Sequence, residues 1–386
     1  WRTPFSPERS LKPLSDLFDY LAWRGDIPMS QAPFNPVDGL ILSILSYVHF
    51  DNLVPPDLRG PISLGKAAET YLALPEGRRG RVRCPLDRKL LAALARCRRF
   101  SPLGLAFAQD RFVPEEEMQF AAIAVLLEDG SAFLSFRGTD ATLVGWKEDF
   151  SMSFLDAVPA QQAALDYVER FASLFPGSLR LGGHSKGGNL AVFAGALARI
   201  KVRDRILAIY NNDGPGFDAD VIALPGYQRI CARVQTFVPQ SSIVGMLLEH
   251  EEAYTIIHST GDGFGQHNLY TWEVLRDRFV TLETVTNGSR FLDRTLKQWL
   301  AGLEPEQRER TIDTVYHMLC ETNAETLHEL KENRFSRALA LLRSAKGLDE
   351  DTRKLLVHAA GVFFRSAGRS LKQARVPDDE KTTEAG

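Results

Sequence analysis

The stretch LRLGGHSKGGNLAVFAGALA, residues 179–198, constrains this chain more than any other. A short apolar run over 178–182 leads into Gly183-His184-Ser185-Lys186-Gly187, and small and apolar residues follow over 187–200. This order predicts a strand, a tight turn and a helix, with the serine raised at the turn. Gly183 and Gly187 supply the small flanks that a strained, crowded backbone needs. Gly188 and Ala191 let the helix pack closely on a sheet. The Ser185 hydroxyl then points away from the sheet, and the backbone N–H of Lys186, at the helix N-terminus, faces a developing oxyanion. A bare GxSxG arises by chance in many chains; the strand before and the helix after give this one its weight. GGHSKGGN is not a phosphate loop, since it lacks the GxxxxGK[ST] spacing and no second nucleotide motif accompanies it.

The surrounding pattern suits that turn. Apolar runs over 120–127 and 131–136 flank Glu128-Asp129-Gly130, a hairpin signal. A helix is expected over 157–175, ended by Pro176-Gly177, and strands over 205–211, 233–239 and 253–258. Strands alternating with helices imply a mostly parallel sheet flanked by helices. Upstream, a helix is expected over 35–53, capped by Asn35 or Asp38, and another over 86–96. Four regions follow: an N-terminal helical or cap segment over 1–114, an α/β core over 115–290, a C-terminal helical extension over 291–375 and a disordered tail over 376–386.

A second informative segment, Phe136-Arg137-Gly138-Thr139-Asp140, closes a strand about 46 residues before the turn. Acyl-transfer chemistry needs a second oxyanion donor from such a loop, and Thr139 offers its backbone N–H and its hydroxyl. Trp146 and Asp149 follow on an expected helix and read as packing or capping residues.

Taken together, FRGT, a W…D helix and GGHSKGGNLA resemble the fungal-type class 3 lipases. The chain is more similar still to a bacterial α/β-hydrolase-like family of unknown function, through NPVDGLILSILSY, YNNDGPGF, VPQSSIVGMLLEH and QHNLYTWEV. The similarity spans roughly residues 35–275 and implies an α/β-hydrolase fold with a serine nucleophile, but no substrate.

In that fold the catalytic residues run Ser, acid, His along the chain. This order removes His49 and leaves His250, His258, His267, His317, His328 and His358. His267 falls in a loop after the last expected core strand and in the QH…W segment, so it is the expected base; His258 reads as a buried strand-end residue and His250 as surface. The acid departs from the lipase pattern, whose position near the end of strand 233–238 is occupied here by Ser242. Asp213, ending the previous strand, is the expected substitute, with Glu249, Glu251, Asp262, a dyad or a Ser242-assisted arrangement as alternatives.

Composition bounds the rest. The 46 Lys+Arg against 49 Asp+Glu give −3, which points away from nucleic acid. The longest apolar stretches, over 40–48, 121–127 and 190–198, are far shorter than the roughly 20 residues of a membrane helix. No basic segment followed by an apolar one opens the sequence, and four scattered cysteines read as buried free thiols in a reducing cytoplasm. No HExxH or comparable ligand spacing appears, so neither metal nor organic cofactor is expected. The expected function is hydrolysis of a carboxylic ester or lipid-like acyl bond, with acyl transfer or a non-catalytic binding module as the alternatives.

Overall fold

The computed structural model describes residues 15–116, 118–139, 158–242, 244–246, 248–261, 263–286 and residue 350. Apart from residue 350, the expected C-terminal extension and tail lie outside these residues, as do Trp146, Asp149, Asp262, Cys320, His317, His328 and His358.

Local chemistry starts the first helices. Asp16 caps α1 (Leu17–Arg24), accepting from the Phe18 and Asp19 amides. Asn35 caps α2 (Pro36–Leu45), with Pro36 in the first turn and the Asp38 carboxylate returning to the Asn35 N–H at 3.0 Å. Residues 37–45 are all buried, so α2 is an inner element rather than an amphipathic surface helix. It ends earlier than the expected 53, passing into a turn and a short 3-10 segment at Asp51–Leu53. Helices α3 (Leu64–Ala73) and α4 (Pro85–Arg96) follow. A buried ion pair locks this layer: Arg99 Nε donates to Asp38 Oδ1 at 2.8 Å, Arg99 Nη1 to the Ala32 carbonyl at 2.8 Å, and the Tyr20 hydroxyl to Asp38 Oδ1 at 2.7 Å.

The main sheet contains β1 (Ile62–Ser63), β2 (Gly104–Val113), β3 (Met118–Leu126), β4 (Ala132–Phe136), β5 (Leu179–His184), β6 (Ile206–Asn212), β7 (Val234–Pro239), β8 (Tyr254–Ile257) and β11 (Thr281–Leu282). They lie in that spatial order. Strands β4 to β8 are parallel; β1 to β4 and the β8–β11 pair are antiparallel. A separate hairpin joins β9 (Val274–Leu275) to β10 (Arg278–Phe279).

Within the segment expected as N-terminal helices or cap, β2 joins the main sheet by pairing with β3. Its alternation is hidden by an irregularity between Ala106 and Gln109, where Phe107 has φ 56°. The continuous apolar run of β3 has a two-sided explanation. Ile123 and Val125 join a core with α1, α2 and α4, while Ala122 and Ala124 join a core with α5 (Pro159–Leu174) and α6 (Lys186–Leu197) on the other face. The described cysteines, Cys84, Cys97 and Cys231, are free and half-buried rather than fully buried. Among the described residues no helix is long and apolar enough to cross a membrane.

Candidate active site

Ser185 stands between β5 and α6 with φ 59° and ψ −133°, a conformation costly for any residue with a Cβ. Its neighbours make room for it. A Cβ on Gly183 would lie 2.3 Å from the Gly187 carbonyl carbon, and one on Gly187 would lie 2.2 Å from the Phe136 carbonyl oxygen. A Cβ on Gly138 would approach the His184 carbonyl oxygen at 2.4 Å and Ser185 Cβ at 3.2 Å. The FRGT loop therefore rests directly on the serine turn, with partly exposed Thr139 next in the chain. The Ser185 N–H donates to the Asn212 carbonyl at 3.0 Å, tying the turn to the end of β6. Lys186 opens α6, and the Gly188 N–H donates to the Ser185 carbonyl at 2.9 Å. The Lys186 side chain is buried and its Nζ donates to the Gln119 carbonyl at 3.0 Å.

Asp213 follows β6 with φ 53° and is 1% exposed. His267 Nδ1 meets its Oδ2 at 2.6 Å. Ser242 Oγ donates to Oδ1 at 2.5 Å, and the Gly245 N–H donates to the same oxygen at 3.2 Å. Three donors thus converge on one carboxylate. The NNDGPG sequence builds this corner: the Gly214 N–H reaches Asn211 Oδ1 at 3.0 Å, and Asn212 Nδ2 reaches the Gly183 carbonyl at 2.9 Å. Asn189, on α6, donates to the Pro215 and Gly216 carbonyls at 3.2 and 2.9 Å and accepts from Gln161 at 2.8 Å.

His267 ends a 3-10 turn, Gly263–His267, after β8. Trp272 Nε1 donates to the Gln266 carbonyl at 2.9 Å, and Gln266 Oε1 accepts from the Ser241 N–H at 2.7 Å, which holds the turn against the end of β7. The His267 ring lies over His184, centroids 4.3 Å apart. His184 Nε2 donates to the His267 carbonyl at 2.9 Å, so its Nδ1 accepts from the Tyr47 hydroxyl, also at 2.9 Å. Burial, and then the neighbouring His267 and Arg83, push His184 well below the ordinary histidine range. It is neutral and serves as a spacer between the serine turn and His267.

Sequence reasoning named Ser185, His267, Asp213, Thr139 and Lys186 from four separated segments; these segments follow the carboxyl ends of parallel strands. Glu249 and Glu251 are exposed on the surface, and His258 pairs with Glu273 at 2.7 Å. His250 is not a surface residue. Its Nε2 donates to the Gly245 carbonyl at 2.9 Å, and its Nδ1 meets Glu252 Oε1 at 3.1 Å. Glu252 also accepts from Tyr227 at 2.6 Å and Thr236 at 2.5 Å. Burial alone would raise its pKa, but these donors, His250 first, hold it down to about 2. The pair buttresses the loop that presents Ser242 and Gly245 to Asp213. The sequence carries no signal for this role, and Tyr47 and Asn189 are visible only within longer matching stretches. Among the described residues no cluster of His, Cys, Asp and Glu could hold a metal ion.

Five parallel strands between two helical layers, opening onto a serine turn after the second of them, are the architecture of the α/β-hydrolase fold, and this chain has it. It belongs to the Mbeg1-like family, whose model matches residues 94–317, more than half of the 386 residues. A comparison with curated proteins finds no match. Among solved structures it is similar to lipase II from Rhizopus niveus, at 16% identity and a TM-score of 0.30, covering 43% of this chain and 69% of that one. A Rhizomucor miehei lipase–propeptide complex is similar at 14% identity and a TM-score of 0.34, covering 50% and 66%. An MDLA mutant from Penicillium cyclopium follows at 11% and 0.34, covering 65% and 88%.

Proposed function

We propose that this protein is a serine hydrolase that cleaves a carboxylic ester or lipid-like acyl bond through an acyl-enzyme. The observation that carries the reading is the 2.6 Å contact of His267 Nδ1 with Asp213, on an imidazole packed, tilted by 38°, against the residue preceding Ser185. With Nδ1–H donated to the carboxylate, Nε2 is the basic nitrogen. Ser185 Oγ attacks the acyl carbon and its proton passes to Nε2, while the carbonyl electron pair becomes an oxyanion facing the N–H groups of Thr139 and Lys186. Collapse expels the alcohol, which takes the proton from Nε2. Water then attacks the acyl-enzyme, gives its proton to Nε2, and the acid leaves as Ser185 regains that proton. Asp213 orients the ring and stabilises the imidazolium in both halves. The steps need neither metal nor organic cofactor, and the substrate is a small-molecule ester or lipid rather than nucleic acid.

The test is covalent labelling by a fluorophosphonate, which reacts quickly only with an activated serine. Labelling of the wild type and its loss in Ser185→Ala supports the reading. Absence of labelling in folded wild type would instead make this a binding module on a hydrolase fold. Product analysis with added alcohol then separates hydrolysis from acyl transfer.

A further inference from the structure

Arg83 is a cation with an incomplete set of partners beside this site. Its Nε and Nη2 are buried without a hydrogen-bond partner. The nearest carboxylate, Asp87, is 3.7 Å from Nη2 and is already engaged by the Tyr270 hydroxyl at 2.9 Å and the Cys84 N–H at 2.9 Å. The guanidinium carbon lies 5.1 Å from the Tyr47 ring centroid and 5.9 Å from that of Tyr270. Tyr47 bonds His184, the residue before Ser185, and Tyr270 is three residues past His267. Arg83 is thus bracketed by two side chains anchored to the serine and histidine segments.

The side chain is 20% exposed, and with Nε and Nη2 buried this exposure falls on its stem and Nη1. A guanidinium removed from bulk water without hydrogen bonds is costly unless an anion completes it. Asp87, 3.7 Å away and shared with the Tyr270 hydroxyl and the Cys84 N–H, offsets it only in part, and the neighbouring segment adds positive charge. Residues 78–83 hold Arg78, Arg79, Arg81 and Arg83 and no acid, although the whole chain carries −3. Arg79 is used on the Leu72 and Leu74 carbonyls, whereas Arg78 and Arg81 are exposed. The segment is held in place: the His49 N–H donates to the Arg81 carbonyl at 3.0 Å, and a Cβ on Gly80 would fall 1.7 Å from the His49 carbonyl oxygen.

We propose that Arg83 binds an anionic group, carboxylate or phosphate, carried by the ester substrate. The inference rests on the serine-hydrolase reading and names the substrate class: an ester with a negative charge near the scissile bond. Nη1 is the nitrogen left open to an incoming group, and a charged N–H donor suits both oxyanions.

The experiment compares kcat/KM within two matched pairs. Mono-p-nitrophenyl glutarate against p-nitrophenyl butyrate places a carboxylate on the acyl side; 1-butyrylglycerol 3-phosphate against 1-butyrylglycerol places a phosphate on the alcohol side. In wild type the charged member of at least one pair is preferred roughly 10- to 100-fold, as expected of a charged hydrogen bond, and that pair identifies the anion. The preference shrinks as salt is raised from low to high ionic strength, and it collapses in Arg83→Gln. A wild-type ratio near one in both pairs, or a ratio that Arg83→Gln leaves intact, overturns the proposal. Calorimetric binding of glutarate and of glycerol 3-phosphate to Ser185→Ala, with and without Arg83→Gln, needs no turnover. Tighter binding when Arg83 is present supports the anion site even where fluorophosphonate labelling fails, and equal binding overturns it.

Discussion

The Ser242 hydroxyl donates to Oδ1 of Asp213 at 2.5 Å, across 29 residues of sequence. A hydroxyl thus stands at the end of β7, where the lipase resemblance leads one to expect the acid, and the carboxylate stands at the end of β6. Because β6 and β7 are neighbours in the sheet, either strand end can reach a histidine presented beyond β8. Removing the hydroxyl leaves Asp213 with the Gly245 N–H on Oδ1 and His267 on Oδ2. Ser242→Ala should therefore lower ester turnover only about tenfold and cost about 1–2 kcal/mol in urea unfolding. Activity indistinguishable from wild type would separate Ser242 from the acid's support.

Replacing the carboxylate should do far more. In Asp213→Asn the amide oxygen can still accept from Ser242 and Gly245, which turns the NH2 toward His267 Nδ1. The imidazole must then accept at Nδ1 and carry its proton on Nε2, the wrong tautomer for taking a proton from Ser185. Turnover should fall about 10³–10⁴-fold with a small change in thermal midpoint. Retention of more than a few per cent of wild-type activity would remove Asp213 from the proposed mechanism.

The serine turn depends on the absence of side chains beside it. A methyl at Gly187 would meet the Phe136 carbonyl oxygen at 2.2 Å and the Arg137 carbonyl carbon at 2.9 Å, both backbone atoms that cannot rotate away. Gly187→Ala should cost about 1–3 kcal/mol or more as overpacking and should abolish fluorophosphonate labelling. Gly77→Ala is the control, since nothing lies within 4 Å of its added Cβ. Equal midpoints for the two variants would contradict this account of the turn.

Acid should weaken the fold in two stages. His184 is held neutral, well below its ordinary 6.5, so as pH falls through about 6.5 the unfolded chain binds a proton that the folded one refuses. Stability then drops by up to about 1.4 kcal/mol per pH unit for that one proton. Glu252, lowered from 4.5 to about 2, adds a second loss as pH falls from 4.5 toward 2. Urea titrations at a series of pH values should show a shallower decline from pH 6.5 to 5 in His184→Gln than in wild type. The same slope in both proteins would mean that another group carries the first stage.

Much of this protein is legible along the chain. The strand–turn–helix of 179–198 and the alternation after it reflect local rules: glycine where a Cβ cannot fit, period two in strands, caps before helices. Ser185, His267 and Asp213 were picked out by residue type, chain order and the family resemblance, and the structure brings Asp213 to His267. What those rules could not supply were contacts between strand ends. That β2 joins the sheet was hidden because its irregularity at Phe107 breaks the alternation that reveals a strand. His250 read as surface because EHEEA is a polar stretch, yet it is held inside by Glu252 and the Gly245 carbonyl. Ser242 stands where an acid was expected and is instead a hydrogen-bond donor to Asp213. Arg83 is one arginine among many until Tyr47 and Tyr270 close around it. Secondary structure arises from neighbours within a few residues, so sequence determines it directly. Which carboxylate meets which histidine depends on the spacing and order of packed strands, and those belong to the tertiary structure alone.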